Sequence, residues 1–170
     1  VRGTTLQKSI LRILDRLNPK KIIIVSSAPQ IRYIDCYGID MARLDKLIAF
    51  RAALSLHKDV GTYDKILEET YKNCKASLND SVKKAENCVK AIYEPFSLEQ
   101  ISKKIADMLK SDFIKSDLEI IYQTLEGLHE ACPDHSGDWY FSGNYPTQGG
   151  NKVVNKSFIN FYKGKSVRAY

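Results

Sequence analysis

The sequence has no C-x-x-C pair, no internal repeat, and no apolar run long enough to cross a membrane as a helix. Four cysteines are present, Cys36, Cys74, Cys88 and Cys132, all widely spaced. Without secretory features they read as buried thiols in a reducing, cytoplasmic compartment rather than a disulfide framework. There is no signal-peptide pattern, and the first residue is Val1 rather than Met. Acidic residues are outnumbered, giving a formal charge of +6 and a pI near 9.0. Yet no basic stripe studded with aromatics appears. Lys83-Lys84, Lys103-Lys104 and the group Lys163, Lys165, Arg168 lie on separate segments. This argues against a nucleic-acid partner and for solvated helix faces, although a positive field also suits phosphorylated small molecules.

What is present is enough for a real core: 170 residues, 44% apolar and 27% charged. The organising stretch is at the start. Val1-Arg2-Gly3-Thr4-Thr5 leads into an amphipathic pattern from Thr5 to about Leu17, with Leu6, Ile10, Ile13, Leu14 and Leu17 on one face. A turn at Asn18-Pro19 follows, then Ile22-Ile23-Ile24-Val25, then Ser26-Ser27-Ala28-Pro29. Loop, helix and strand in this order predict the second half of a β-α-β unit, its first strand preceding Val1. The unbroken apolar run predicts an interior parallel strand covered on both faces. Ligands in such sheets bind beyond the carboxyl ends of the strands, where Ser26 to Arg32 would lie.

The loop carries the equipment of a phosphate site. A helix start offers unpaired N–H groups and partial positive charge. Gly3 allows close backbone approach, Thr4 and Thr5 offer hydroxyls, either of which can cap the helix, and Arg2 offers a planar cationic fork. The same five residues also suit an ordinary capped helix start.

Downstream, Gly38 predicts a turn and Asp40 a cap for a helix from about Ala42 to His57, with Leu44, Leu47, Phe50 and Leu54 inward. From Thr62 to Cys132 every segment reads as helix. The apolar sets are Tyr63, Ile66, Leu67, Thr70, Tyr71, Cys74; then Val82, Ala85, Val89, Ile92, Tyr93; then Leu98, Ile101, Ile105, Met108, Leu109 behind a Ser97–Gln100 capping box; then Leu118, Ile121, Tyr122, Leu125, Leu128, opened by Asp117. His129, Cys132 and His135 have ligand-like spacing beside Asp134, but no fourth soft ligand is near. A histidine at a helix C-terminus is the better reading than zinc. Trp139 and its aromatic neighbours would dock on the helices or form a subunit contact. Asn151 is a candidate cap for a last helix carrying Val154, Phe158 and Phe161, and the basic end from Lys163 to Tyr170 is expected to fray.

Three ordered motifs resemble one family. Val1-Arg2-Gly3-Thr4-Thr5 is similar to the end of the phosphoribosyl-pyrophosphate loop, Asp-Asp-Ser-Ile-Val-Arg-Gly-Thr-Thr, of the glutamine amidophosphoribosyltransferases. Ser27-Ala28-Pro29-Gln30-Ile31-Arg32-Tyr33 and Tyr37-Gly38-Ile39-Asp40-Met41 resemble the family's Ala-Ala-Pro-Pro-Val/Ile-Arg/Lys-Tyr-Pro and Tyr-Gly-Ile-Asp-Met. Phe141-Ser142-Gly143-Asn144-Tyr145-Pro146-Thr147 looks like Phe-Thr-Gly-Asp/Lys-Tyr-Pro-Thr.

The resemblance implies an α/β chain. Residues 1–41 would be the C-terminal piece of a phosphoribosyltransferase-type parallel-sheet domain, while periodicity makes 42–136 a mostly α-helical region and composition makes 137–170 an aromatic, turn-rich tail with a last short helix. It implies a C-terminal fragment of an enzyme that makes 5-phosphoribosylamine from phosphoribosyl pyrophosphate and glutamine-derived ammonia, the first step of purine nucleotide synthesis. Arg2, Gly3, Thr4 and Thr5 would bind the 5′-phosphate. The catalytic cysteine and the paired aspartates that help hold magnesium would precede Val1, leaving the fragment alone inactive. Purine nucleotide inhibitors and a homo-oligomer are implied for the full protein, with no nucleic acid or membrane partner. Cluster-bearing members have a C-x-x-C just before the Phe-Thr-Gly motif. Residues of Gly137-Asp138-Trp139-Tyr140 stand there instead, so no iron–sulfur cluster is expected. The helical stretch from Leu56 to Glu130 does not align with the better-known members. A non-catalytic sensor of a sugar phosphate or nucleotide on the same fold remains the alternative. A half-sheet of this kind exposes apolar edges, which predicts poor solubility in isolation.

Overall fold

A computed structural model describes residues 3–35, 41–79, 84–135 and 137–169. Val1, Arg2, Cys36, the Gly38 turn, the Asp40 cap and Val82 lie outside the described residues. The fold is α/β: a two-stranded parallel sheet beside a helical body.

The chain opens with a π-helical turn, Leu6–Ile10, that runs straight into α1, Leu11–Asp15. Strand β1, Lys21–Ser26, follows. A 3-10 turn, Leu44–Lys46, precedes α2, Ile48–Asp59, and α3, Tyr63–Asn79. A second 3-10 turn, Cys88–Ile92, leads to α4, Leu98–Leu109, and β2, Asp117–Tyr122. The chain ends with α5, Leu125–Ala131, α6, Trp139–Ser142, and α7, Gln148–Tyr162.

β1 and β2 pair in register from Lys21 opposite Asp117 to Ser26 opposite Tyr122, and Lys21 and Glu119 form an ion pair across them. Side chains alternate across the pleat. Ile22 and Ile120 face inward, where α4 packs on β2. The opposite face is open, with Ile23 53% and Val25 73% exposed. The expectation of a strand covered on both faces therefore fails: continuous apolarity gave the strand, but within the described residues helices cover only one side. The expected face of the first helix fails likewise. The fully buried residue is Leu11, while Leu17 is 77% exposed, and Ile10 and Ile13 also face solvent. The π turn adds a residue to the helical cycle, and this rotates the face that meets the core.

The largest correction is β2. Leu118, Ile121, Tyr122, Leu125 and Leu128 fit a helical period, but Asp117–Tyr122 is a strand and only Leu125–Ala131 is helix. Thr124 divides them: its hydroxyl accepts the Gly127 N–H as an N-cap. The segment around Val89 is a short 3-10 turn rather than an amphipathic helix. Asn87 caps it by accepting the Val89 N–H.

The expected helix from Ala42 begins only at Ile48, because Leu44–Lys46 is a 3-10 turn and Leu47 is extended, but elsewhere the apolar positions are buried as the periodicity requires. Leu44, Leu47, Phe50 and Leu54 are buried, as are Ile101, Ile105 and Leu109 of α4. The Ser97–Gln100 capping box forms both of its hydrogen bonds. In the core, Phe50 meets Phe158 and Phe161 of α7 edge to face. Buried His57 lies 2.9 Å from the Ile92 carbonyl through Nε2 and 2.8 Å from Thr62 Oγ1 through Nδ1. A carbonyl only accepts, so the Nε2–H tautomer fits. The cap of α7 is Thr147, which accepts the Gly150 N–H, and not Asn151, whose amide donates to the Ala85 carbonyl. The expected fraying of the end also fails over the described residues. Ala169 is buried, and Arg43 donates to Ser166.

Gly143 is a tight point in this packing. It has φ +71°, and an added Cβ would lie 2.6 Å from Asn87 Nδ2 and 2.7 Å from Tyr33 Cζ. Gly143→Ala should lower stability by about 2–4 kcal/mol, from left-handed strain plus overpacking. Urea unfolding of the two proteins measures it.

Candidate functional site

The first helix starts from a constrained glycine. The Gly3 carbonyl accepts the Gln7 N–H at 2.9 Å, so the helical bonding starts there. Thr5 already has helical angles and its side chain makes no capping bond, which overturns its expected capping role. Gly3 has φ +75°, and a Cβ on it would stand 2.6 Å from Ile48 Cδ1 and 2.7 Å from Leu109 Cδ2. Only glycine fits both the angle and the gap. The Gln7 amide donates to the Met108 carbonyl, tying the π turn to the end of α4.

At the other end of the helix, Asp15 Oδ1 accepts from Ser116 N–H at 2.9 Å and Ser116 Oγ–H at 2.6 Å, with Lys115 N–H at 3.1 Å. These bonds favour the carboxylate and hold the Asp15 pKa below its ordinary value, the Ser116 hydroxyl contributing most. The helix is thus fastened at both ends to the α4–β2 connection.

Gly3, Thr4 and Thr5 open onto a cavity that they share with Leu6, Ile48 and Tyr122. Tyr122 ends β2 and pairs in register with Ser26. Thr4 and Thr5 are exposed. No charged side chain is among the described residues lining the cavity, and Arg2, the expected cation, lies outside the described residues. The structure thus places Gly3, Thr4 and Thr5 together at a helix start but does not bring Arg32 there. Arg32 donates from Nε and an Nη to Gln30 Oε1, at 3.1 and 3.0 Å, and lies over the Tyr93 ring. Gln30 is buried and donates in turn to the Leu98 carbonyl and Ser102 Oγ. Arg32 is thereby a structural residue of the strand exit.

The strand exit meets the distant tail. Arg32 and Tyr33 both donate their N–H groups to the Tyr140 carbonyl, at 2.9 and 3.0 Å. Tyr145 donates its hydroxyl to the Ile34 carbonyl, and Tyr33 sits against Gly143. Asn87 donates to the Gly143 carbonyl at 3.1 Å, and Lys90 to Asn144 Oδ1. Burial pushes the Tyr33 and Tyr93 phenols up, so neither ionises near neutrality. The segment around residue 30 and the segment around residue 143 thus form one joint. No periodicity in the sequence signals this contact.

His129 bonds Asp138 at 3.0 Å across a small cavity that Cys132 and His135 also line. Among the described residues no group of three His, Cys, Asp or Glu side chains is placed to hold a metal ion. No described helix is long and apolar enough to cross a membrane.

Against this geometry, a 50-residue stretch of the chain is 48% identical to the amidophosphoribosyltransferase of Haemophilus influenzae, covering 29% of this chain and 10% of that protein. It is 46% identical, over the same length and shares, to the amidophosphoribosyltransferase of Pasteurella multocida. This chain is similar to part of an amidophosphoribosyltransferase. The similarity spans a tenth of the length of each relative. No family model and no solved structure matches the chain.

The Asp15 anchor has a pH signature. A carboxyl with a depressed folded-state pKa stabilises above its unfolded value, about 4, and loses that contribution as pH falls through the folded value. Asp15→Ala should lower the Tm at pH 7, and its deficit against the parent should shrink as pH is taken below about 4. Thermal melts from pH 7 to pH 3 check this.

Proposed function

We propose that this chain is part of a cytoplasmic amidophosphoribosyltransferase that makes 5-phosphoribosylamine from phosphoribosyl pyrophosphate and glutamine-derived ammonia. The carrying observation is the 48% identity over 50 residues to an enzyme of that name. The helix start at Gly3 supports it, because a glycine forced by φ and by packing presents the first N–H groups of a helix beside two exposed threonines.

In this reading Arg2, Gly3, Thr4 and Thr5 hold the 5′-phosphate. Backbone N–H groups and the threonine hydroxyls donate to phosphate oxygens, and Arg2 adds charge-assisted bonds. Their contribution is positioning: with the phosphate fixed, the ribose carbon faces the incoming ammonia and pyrophosphate leaves. The anchors at Gln7 and Asp15 keep the helix start in place. Magnesium accompanies the sugar diphosphate. The described lining carries no carboxylate, so its ligands would be the diphosphate and aspartates outside this sequence. The expectation of no iron–sulfur cluster stands as part of the proposal, as do feedback by purine nucleotides and a homo-oligomeric enzyme.

The test is the intact parent protein assayed with glutamine, magnesium and phosphoribosyl pyrophosphate. Glutamate release that depends on the sugar diphosphate is expected, and its absence would sink the enzyme reading. Thr4→Val in that protein should raise the KM for the sugar diphosphate by about tenfold, the loss of one hydrogen bond to a charged group. An unchanged KM would remove Thr4 from the site.

A further inference from the structure

The first helix carries a basic cleft. Lys8 of the π turn, Arg12 of α1 and Arg16 at its end line a cavity of about 580 Å³ with Phe113 and Lys115 of the α4–β2 connection. All five side chains are exposed. The one carboxylate in the lining is Asp15, and its Oδ1 is already taken up by Ser116. Among the described residues no salt bridge pairs Lys8, Arg12, Arg16 or Lys115. Cations from two segments thus converge around one anchored carboxylate, and an anion from outside would relieve their mutual repulsion. Arg12 is also pre-set for pairing. Its guanidinium carbon lies 4.7 Å from the centre of the Phe113 ring, so less side-chain freedom is lost when it takes a partner.

The matching charge is at the other end of the sheet. α5 exposes Glu126 and Glu130, one turn apart on one face, and exposed Asp134 follows just past the helix end. Among the described residues these three acids form no salt bridge either. The cleft lies where β2 begins, because Lys115 closely precedes Asp117, whereas α5 starts at Leu125, just after β2 ends at Tyr122. The strand between them is about 20 Å long at its rise per residue. That is far beyond the 4 Å or so of an ion pair. The two patches therefore cannot pair within one chain.

We propose that this basic cleft docks onto α5 of a second copy of this chain. Two copies with their strands antiparallel set each cleft against the other's α5, so one contact forms twice about a two-fold axis and the assembly closes. Lys8, Arg12, Arg16 and Lys115 then face Glu126, Glu130 and Asp134 across the interface. Exposed ion pairs are individually weak, so the contact depends on their number and is sensitive to salt. A complementary row on the same molecule favours a second copy over a nucleic-acid strand. For such a strand the cleft offers one aromatic ring, already overlaid by Arg12. The pairing stands independently of the enzyme reading, and it gives the homo-oligomer a surface.

The test couples touching amines and carboxylates of the intact parent protein with a zero-length carbodiimide. Single-mass and doubled-mass bands from a denaturing gel are then digested for mass spectrometry. Links from Lys8 or Lys115 to Glu126, Glu130 or Asp134 should appear in the doubled-mass band, be absent from the single-mass band, and fade in high salt. Arg12→Glu or Glu130→Arg alone should cut the Lys115–Glu126 link about fivefold, as expected when one exposed ion pair becomes a repulsion. Both exchanges in one chain should restore it. The wild-type links can be read whatever a variant does to folding. The same links in the single-mass band, no link between the cleft and α5, or no restoration by the double exchange would each overturn the proposal. Binding of a labelled DNA single strand that Arg12→Glu abolishes, with no such link formed, would assign the cleft to nucleic acid instead.

Discussion

The structure depends on the contact between Tyr33 and Gly143. A side chain at position 143 would overlap the ring, and the left-handed angle there already favours glycine. Around this contact the Tyr140 carbonyl collects two N–H groups from the strand exit, and the Tyr145 hydroxyl closes on Ile34. Asn87 and Lys90 approach from the other side. Three segments far apart in sequence are thereby fixed to one another, the strand exit and the tail by backbone bonds and the Tyr145 hydroxyl, the 3-10 turn by the Asn87 and Lys90 side chains. The aromatic tail is thus an integral part of the packing.

Buried amides do similar work elsewhere. Asn155 and Gln30 are both almost without exposure, and each uses donor and acceptor alike. Gln30 joins the strand exit to α4 and orients Arg32, while Asn155 joins α3, α7 and the 3-10 turn. Low local dielectric makes such bonds strong when complete and costly when broken. They choose one arrangement among the many that an apolar helical body would tolerate. Asp15 serves the same end at the surface, fixing the helix whose start carries the proposed phosphate site.

Much of this was legible in the sequence. The strand at Ile22, the helices around Phe50 and Ile101, and the capping box at Ser97 follow from periodicity and cap chemistry. β2 was hidden because Leu118, Ile121 and Tyr122 satisfy a helical period as well as a strand, and a six-residue run cannot decide between them by spacing alone. Its β-branched Ile120-Ile121 pair and the Thr124 cap were the available signals. Gly3 could be read as a flexible loop residue, but its contacts with Ile48 and Leu109 are tertiary and leave no trace in local pattern. The same holds for the uncovered sheet face. An apolar run reports what a strand can bury, and a neighbour must be present for the burial to occur.

The parallel pairing of β1 with β2 has a consequence for how the molecule assembles. Helices α2, α3 and α4 lie between the two strands in sequence. Their hydrogen bonds can form only after that long intervening segment has been gathered, and the entropy of closing the loop is lost before any ladder bond repays it. The packing of α7 on α3 closes a loop of comparable length, so both contacts carry a similar entropic cost. Until the sheet forms, Ile23, Val25 and Ile121 belong to an unpaired apolar edge. That edge stays partly open even in the folded chain, where Ile23, Val25 and Ile121 are 53%, 73% and 45% exposed.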